Sequence, residues 1–204
     1  MHYLFTGLPL YSKSELIIRM LIFVILTLIL WNIIKPANIL WIMLILILSH
    51  SINWIFNGHG YQILYESLRI KYAAYKAEDY VLRLRAEAER RGLHVMIYGS
   101  WSRGEATRYS DIDIFIVNVH ESLSKGLRLC LTSLKYRLLA ITMLLSIDIY
   151  VIDRLDYLNW RNRAIPKENP IILNDPTGTI KGIYGEKETK LEDFISALVE
   201  LYEA

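Results

Sequence analysis

Cysteine is almost absent: Cys130 is the only one in 204 residues, so no intrachain disulfide can form. With five scattered histidines beside it, there is no zinc-ligand spacing either. Cys130 falls in an apolar helical pattern, where a buried, inert thiol is expected. Charge is missing from one part of the chain only. Residues 1–56 carry Lys13, Glu15, Arg19 and Lys35 and no other charged side chain, whereas the remainder holds acidic and basic groups in equal number. Two physically different parts are therefore joined in one chain, and the neutral balance of the second gives no general electrostatic drive toward nucleic acid. No internal repeat or low-complexity stretch occurs outside the apolar runs.

The apolar part reads as membrane-spanning. Residues 16–34 carry a charge or carboxamide only at Arg19 and Asn32, and residues 39–56 form a second run. Each is close to the ~20 residues needed to cross ~30 Å of hydrocarbon. The link Lys35-Pro36-Ala37-Asn38 is too short for anything but a tight hairpin. Trp31 and Trp41 bracket it, and Tyr11 and Trp54 lie at the opposite ends, as interfacial anchors do. Arg19 is expected to snorkel along its aliphatic stem, and Ser49, His50, Ser51 and Asn53 to serve helix packing. No small-residue cleavage site follows the first run, which argues against a signal peptide. After the second run come Arg69, Lys71, Lys76, Arg83, Arg85, Arg90 and Arg91, against Lys35 alone in the link. The positive-inside bias then puts both termini and the soluble part in the cytoplasm, where nucleoside triphosphates are. A chain starting near Tyr61 is expected to be soluble or only peripherally membrane-bound.

From Tyr61 to Arg91 there is no proline or glycine, and Tyr61, Leu64, Leu68, Tyr72, Tyr75, Leu82 and Ala86 follow helical steps up to Gly92. This predicts a long amphipathic helix with a core-facing or partner-facing tyrosine stripe. Strands are expected at 93–98, 111–119 and 147–152. Between the last two, a helix capped by Ser122 would be apolar at Leu123, Leu127, Leu131, Leu134, Leu138 and Ile141. Loops surround the apolar triplet Ile171-Ile172-Leu173, and a closing helix spans 187–202.

The chemistry is concentrated in Tyr98 to Ile116, YGSWSRGEATRYSDIDIFI. Side chains two apart on a strand share a face, so Asp111 and Asp113 present paired carboxylates while Ile112 and Ile114 face the other way. Such a pair suits magnesium, which is bound through one or two carboxylates together with substrate phosphates. Gly99-Ser100 just upstream makes a turn able to offer backbone N–H groups to those phosphates. Ser110 reads as a turn residue.

Gly99, Ser100, Arg103, Gly104, Ser110, Asp111 and Asp113 together resemble the signature of the nucleotidyltransferase superfamily that includes DNA polymerase β. The likeness is greatest to its small stand-alone members, which are often paired with HEPN-domain proteins, and it covers about 93–151 well. The resemblance implies a third aspartate on a later strand, and Asp148 in SIDIYVID fits it. Asp153, five residues on, would face the other side and is better read as a turn or cap residue. The implied fold is α/β, an α+β nucleotidyltransferase fold with a mixed sheet and flanking helices. It is preceded by a two-helix transmembrane hairpin (1–56) and a connector helix (57–92), with the nucleotidyltransferase domain at 93–204.

By the same resemblance, Asp111, Asp113 and Asp148 hold two magnesium or manganese ions and carry catalysis. Gly99, Ser100 and Arg103 bind the nucleotide, ATP being the favoured triphosphate. The activity implied is transfer of a nucleoside monophosphate to a hydroxyl, with pyrophosphate release. A partner protein is the favoured acceptor, a nucleic acid remains open, and the lipid bilayer is the other partner. A competing reading is a catalytically silent, membrane-anchored nucleotide-binding or antitoxin-like module. Clustered carboxylates kept without a metal would be costly, which weighs against it.

Overall fold

The computed structural model describes residues 12–56 and 74–203, apart from 108, 121 and 186. Tyr11 and the stretch 57–73, which includes Tyr61, Leu64, Leu68, Arg69, Lys71 and Tyr72 of the expected connector helix, lie outside the described residues. The helices are α1 (Lys13–Ile34), α2 (Ile39–Phe56), α3 (Ala74–Arg91), α4 (Leu123–Met143), α5 (Leu155–Ala164), α6 (Thr179–Tyr184) and α7 (Leu191–Glu203). The strands are β1 (His94–Tyr98), β2 (Ile112–Val117), β3 (Ile147–Ile152) and β4 (Ile171–Asn174). They form a mixed sheet in the order β3-β2-β1-β4. β1 runs antiparallel to both β2 and β4, and β2 runs parallel to β3 through the α4 crossover. The fold is thus mixed α/β with helices flanking a mixed sheet, as expected of a nucleotidyltransferase.

Strand alternation builds two faces of unequal depth. Ile112, Ile114 and Ile116 of β2, with Ile149 and Val151 of β3, enter the main core against Tyr80 and Leu84 of α3, Leu129 and Tyr136 of α4, and Phe194 of α7. On the opposite face Met96, Tyr98, Phe115 and Val117 meet a thinner cover, Leu158 of α5 with Ile180 and Tyr184 of α6. The site described below lies on this thinner face.

Two helical stripes differ from their sequence reading. α3 buries Ala77, Tyr80, Val81, Leu84 and Ala88, while Tyr75 is 67% exposed and Leu82 42%. Small alanines at those steps let the helix sit close to the sheet, and Tyr80 is fixed by donating from its hydroxyl to the Tyr136 carbonyl at 3.0 Å. In α4, Leu123, Leu131 and Leu138 are exposed, whereas Gly126, Cys130, Thr132, Ser133, Tyr136, Arg137 and Ala140 are buried. The cause is that α4 is covered on a second side by α1. A Cβ at Gly126 would lie 2.0 Å from Ser14 Oγ, so only glycine admits the start of α1 there.

That start is anchored by polar groups. Ser12 caps α1 by accepting from the Glu15 N–H at 2.9 Å. Ser14 donates from its N–H and its hydroxyl to Asp153 Oδ2 at 3.2 and 2.9 Å, and Asn118 donates to Asp153 Oδ1 at 3.0 Å. Asp153 therefore does serve a helix start, but of a helix far away in sequence. Glu15 pairs with Arg19 and Arg137 and accepts the Val151 N–H at 3.3 Å, while Arg137 donates to the Ile149 carbonyl. β3 is an edge strand, and these two side chains bond the outward backbone groups that an edge leaves open. Arg19 does not snorkel: it is 8% exposed, with its guanidinium 2.7 Å from Glu15.

Beyond Arg19, α1 shows apolar side chains to its surroundings, Met20 being 56% and Leu28 58% exposed. Lys35, with φ 50°, ends α1, and the Asn38 carboxamide accepts from the Leu40 and Trp41 N–H groups to start α2. α2 then packs on α1 with Ile45 and Ser49 fully buried, and Asn53 donates to the Arg19 carbonyl at 3.1 Å. The polar cluster near the end of α2 thus includes real packing contacts. Among the described residues one helix, Lys13–Ile34, is long and apolar enough to cross a membrane, and the apolar stretch Ile39–Ile55 is shorter.

Candidate active site

Three strand ends converge on the thinner face. Tyr98 of β1 is the register partner of Asp113 of β2, and Asp113 in turn is the partner of Asp148 of β3. Asp111 sits immediately before β2. Carboxylate oxygens of Asp111, Asp113 and Asp148 lie within 4.8 Å of one another, with Asp148 4% exposed. All three predicted carboxylates are therefore brought together, and Asp153 is elsewhere. Burial, followed by the Asp111 and Asp148 charges, pushes the Asp113 carboxyl well above the usual carboxylate range. Negative groups gathered in this way fit a divalent cation, which would reverse the repulsion. Tyr150, on the same face, donates its hydroxyl to Asp148 Oδ2 at 2.9 Å and fixes that carboxylate.

The Gly99-Ser100 turn follows directly from β1. Gly99 has φ +80°, and a Cβ there would lie 2.1 Å from Asp113 Oδ2. The glycine is thus required by the close approach of a carboxylate, in addition to any approach by a phosphate. Ser100 Oγ is buried without a hydrogen-bond partner among the described residues, as suits a hydroxyl awaiting an anionic ligand. Trp101–Arg103 form a single 3₁₀ turn. Arg103 pairs with Glu105 at 2.7 Å and stands 3.9 Å from Glu168. Ser110 closes a turn with Thr107, as expected.

The sequence reading missed Glu168 and Arg161. Glu168 is fully buried, accepts the Gly99 N–H at 3.0 Å, and is gripped by Arg161 through two hydrogen bonds of 2.6 and 2.7 Å. Arg161 lies over the Tyr98 ring, 4.6 Å from its centroid, and Tyr98 stacks on Phe115. A lone glutamate between Pro166 and Pro170 looks like any loop acid, and only the fold reveals its place.

Residues 79–165 match the family model described as "Nucleotidyltransferase domain". No curated protein and no solved structure matches the chain. The match begins inside α3 and ends with α5, so it takes in the Gly-Ser turn and all three carboxylates but not Glu168. The match therefore gives residues 79–165 as a nucleotidyltransferase domain of the polymerase β-like superfamily, which supports a nucleotidyltransferase enzyme.

Proposed function

We propose that this enzyme is membrane-anchored and metal-dependent, and moves a nucleoside monophosphate from a nucleoside triphosphate, ATP foremost, to an acceptor hydroxyl. The acceptor oxygen bonds to the α-phosphorus, the bond from that phosphorus to the bridging oxygen breaks, and pyrophosphate and a proton are released. The observation that carries the reading is the convergence of Asp111, Asp113 and Asp148 beside a turn whose buried Ser100 hydroxyl has no hydrogen-bond partner among the described residues. Magnesium or manganese held by these carboxylates, two ions on this reading, would activate the acceptor oxygen and neutralise charge on the leaving pyrophosphate.

The chain's own groups then divide the work. Asp113 of β2 and Asp111 just before it would hold the metal, and Asp148 would join them in an orientation set by Tyr150. Ser100 donates to phosphate oxygens. The Arg103–Glu105 pair is exposed on the Glu105 side, so it is weak enough to yield Arg103 to a phosphate. The acceptor on this reading is a protein side chain offered by a partner, of HEPN type by resemblance.

Membrane anchoring follows from the exposed apolar surface of α1 and α2, which on this reading cross the bilayer as a hairpin with both chain ends cytoplasmic. The test is to incubate detergent-purified protein and cell extract with each labelled triphosphate and magnesium. Label on a partner protein or on the chain itself supports the reading. Nucleotide binding with no transfer to any material would favour the silent binding module instead.

A further inference from the structure

We propose that Glu168 is a positioning residue for the nucleotide, holding the Gly99-Ser100 turn in its binding shape; this rests on the nucleotidyltransferase reading above. Two adjacent residues of the loop between α5 and β4 grip both ends of that turn. Glu168 accepts the Gly99 N–H at 3.0 Å, and the Asn169 N–H donates to the Ser102 carbonyl at 2.9 Å. The turn is also closed on itself, with Ser102 Oγ donating to the Gly99 carbonyl at 3.0 Å.

A buried carboxylate is costly unless it is paired, and here the bidentate grip of Arg161 supplies the pairing. Arg161 is in turn fixed over the Tyr98 and Phe115 rings at 4.6 and 5.6 Å. A chain of contacts therefore runs from the aromatic face of β1 and β2, through Arg161 and Glu168, to the peptide that precedes Ser100. One consequence is a division of labour within the Gly-Ser pair. The Gly99 N–H is committed to Glu168, so phosphate contact falls to Ser100 while Gly99 provides the shape.

The test uses the full chain in detergent, with binding of magnesium·ATP measured by calorimetry and Mn²⁺ binding measured separately by electron paramagnetic resonance. Glu168→Gln keeps an acceptor for Gly99 but turns an amide donor toward Arg161. Glu168→Asp keeps the charge but is one methylene too short to reach both partners, and guards against a Gln variant that fails to fold. Both variants are expected to weaken magnesium·ATP binding about tenfold, while Mn²⁺ binding without nucleotide stays within about twofold in Glu168→Asp, which keeps the metal ligands and the nearby negative charge. Unchanged nucleotide affinity in either folded variant would overturn the proposal. So would parallel loss of Mn²⁺ and nucleotide binding in Glu168→Asp, which would make Glu168 a general structural residue. If the unmodified chain binds Mn²⁺ but no triphosphate, the nucleotidyltransferase reading fails, and this proposal with it.

Discussion

Glu15, in the first turn of α1, forms a buried ion pair with Arg137, in the middle of α4, across 122 positions of sequence. Removing one partner leaves the other charge buried without compensation, so Glu15→Ala is expected to cost about 3–5 kcal/mol. Thermal unfolding of the detergent-solubilised protein measures this. The triple variant Glu15→Met, Arg19→Met and Arg137→Met should recover much of the loss, since it leaves no charge of this cluster buried alone. A chain lacking residues 1–56 has no Glu15, and is expected to melt early.

Asp111→Asn, Asp113→Asn and Asp148→Asn should each abolish most Mn²⁺ binding and transfer, nearly as severely as any double, because clustered ligands act as a unit. Asp153→Asn should leave Mn²⁺ affinity intact. Its cost is expected to be about 1–2 kcal/mol of stability from weakened bonds to Ser14 and Asn118. Retained activity in Asp148→Asn together with loss in Asp153→Asn would contradict the register of β3.

Gly99→Ala combines left-handed backbone strain of about 1–3 kcal/mol with a methyl group 2.1 Å from Asp113 Oδ2. The carboxylate has to move, so Mn²⁺ affinity should fall even though Gly99 is not a ligand. Gly178→Ala, also at positive φ but with open space around its Cβ, is the control for strain alone.

The motif was legible because its parts are close in sequence: Gly99, Asp111 and Asp113 lie on one hairpin, and Asp148 follows on the next strand. β1, β2 and β3 were legible from their apolar runs, whereas the triplet Ile171-Ile172-Leu173 was too short to be read as β4. Helix faces were less so, since leucines are plentiful on α4 and only the docking of α1 decides which are covered. The α5 helix carries no long apolar stripe, burying Leu158 alone among its residues. Glu15 and Glu168 could not be assigned, because their partners are remote and a single acid carries no period.

Burial holds the pKa of His94 below the ordinary histidine value of 6.5, with His120 adding to the effect and Asp175 opposing it. The unfolded chain therefore takes up this proton first as the pH falls. Stability contributed by neutral His94, which bonds Thr177 at 2.8 Å, is fully present above pH 6.5 and is lost as the pH falls through the folded-state value. Denaturant titrations between about pH 7 and 5 should show this decline, and His94→Gln should flatten it.

The full chain should sediment with membranes and resist alkaline carbonate; recovery in the cytosol would remove the anchor. Orientation can be read by introducing cysteine at Ala37 or Ala204. The native background is quiet, since Cys130 is 3% exposed and burial raises its thiol to about 12. External labelling at Ala37 but not Ala204 is the expected result.

The sealed edge of β3 bears on what happens to enzyme that loses its anchor. An open parallel edge offers a row of N–H and C=O groups to any foreign strand. In this protein one of the groups that close it, Glu15, sits on α1, and the other, Arg137 of α4, is paired with it. Loss of α1 by proteolysis would therefore leave a species prone to strand addition and clearance, and, on the membrane-anchored reading, active enzyme would stay with its anchor.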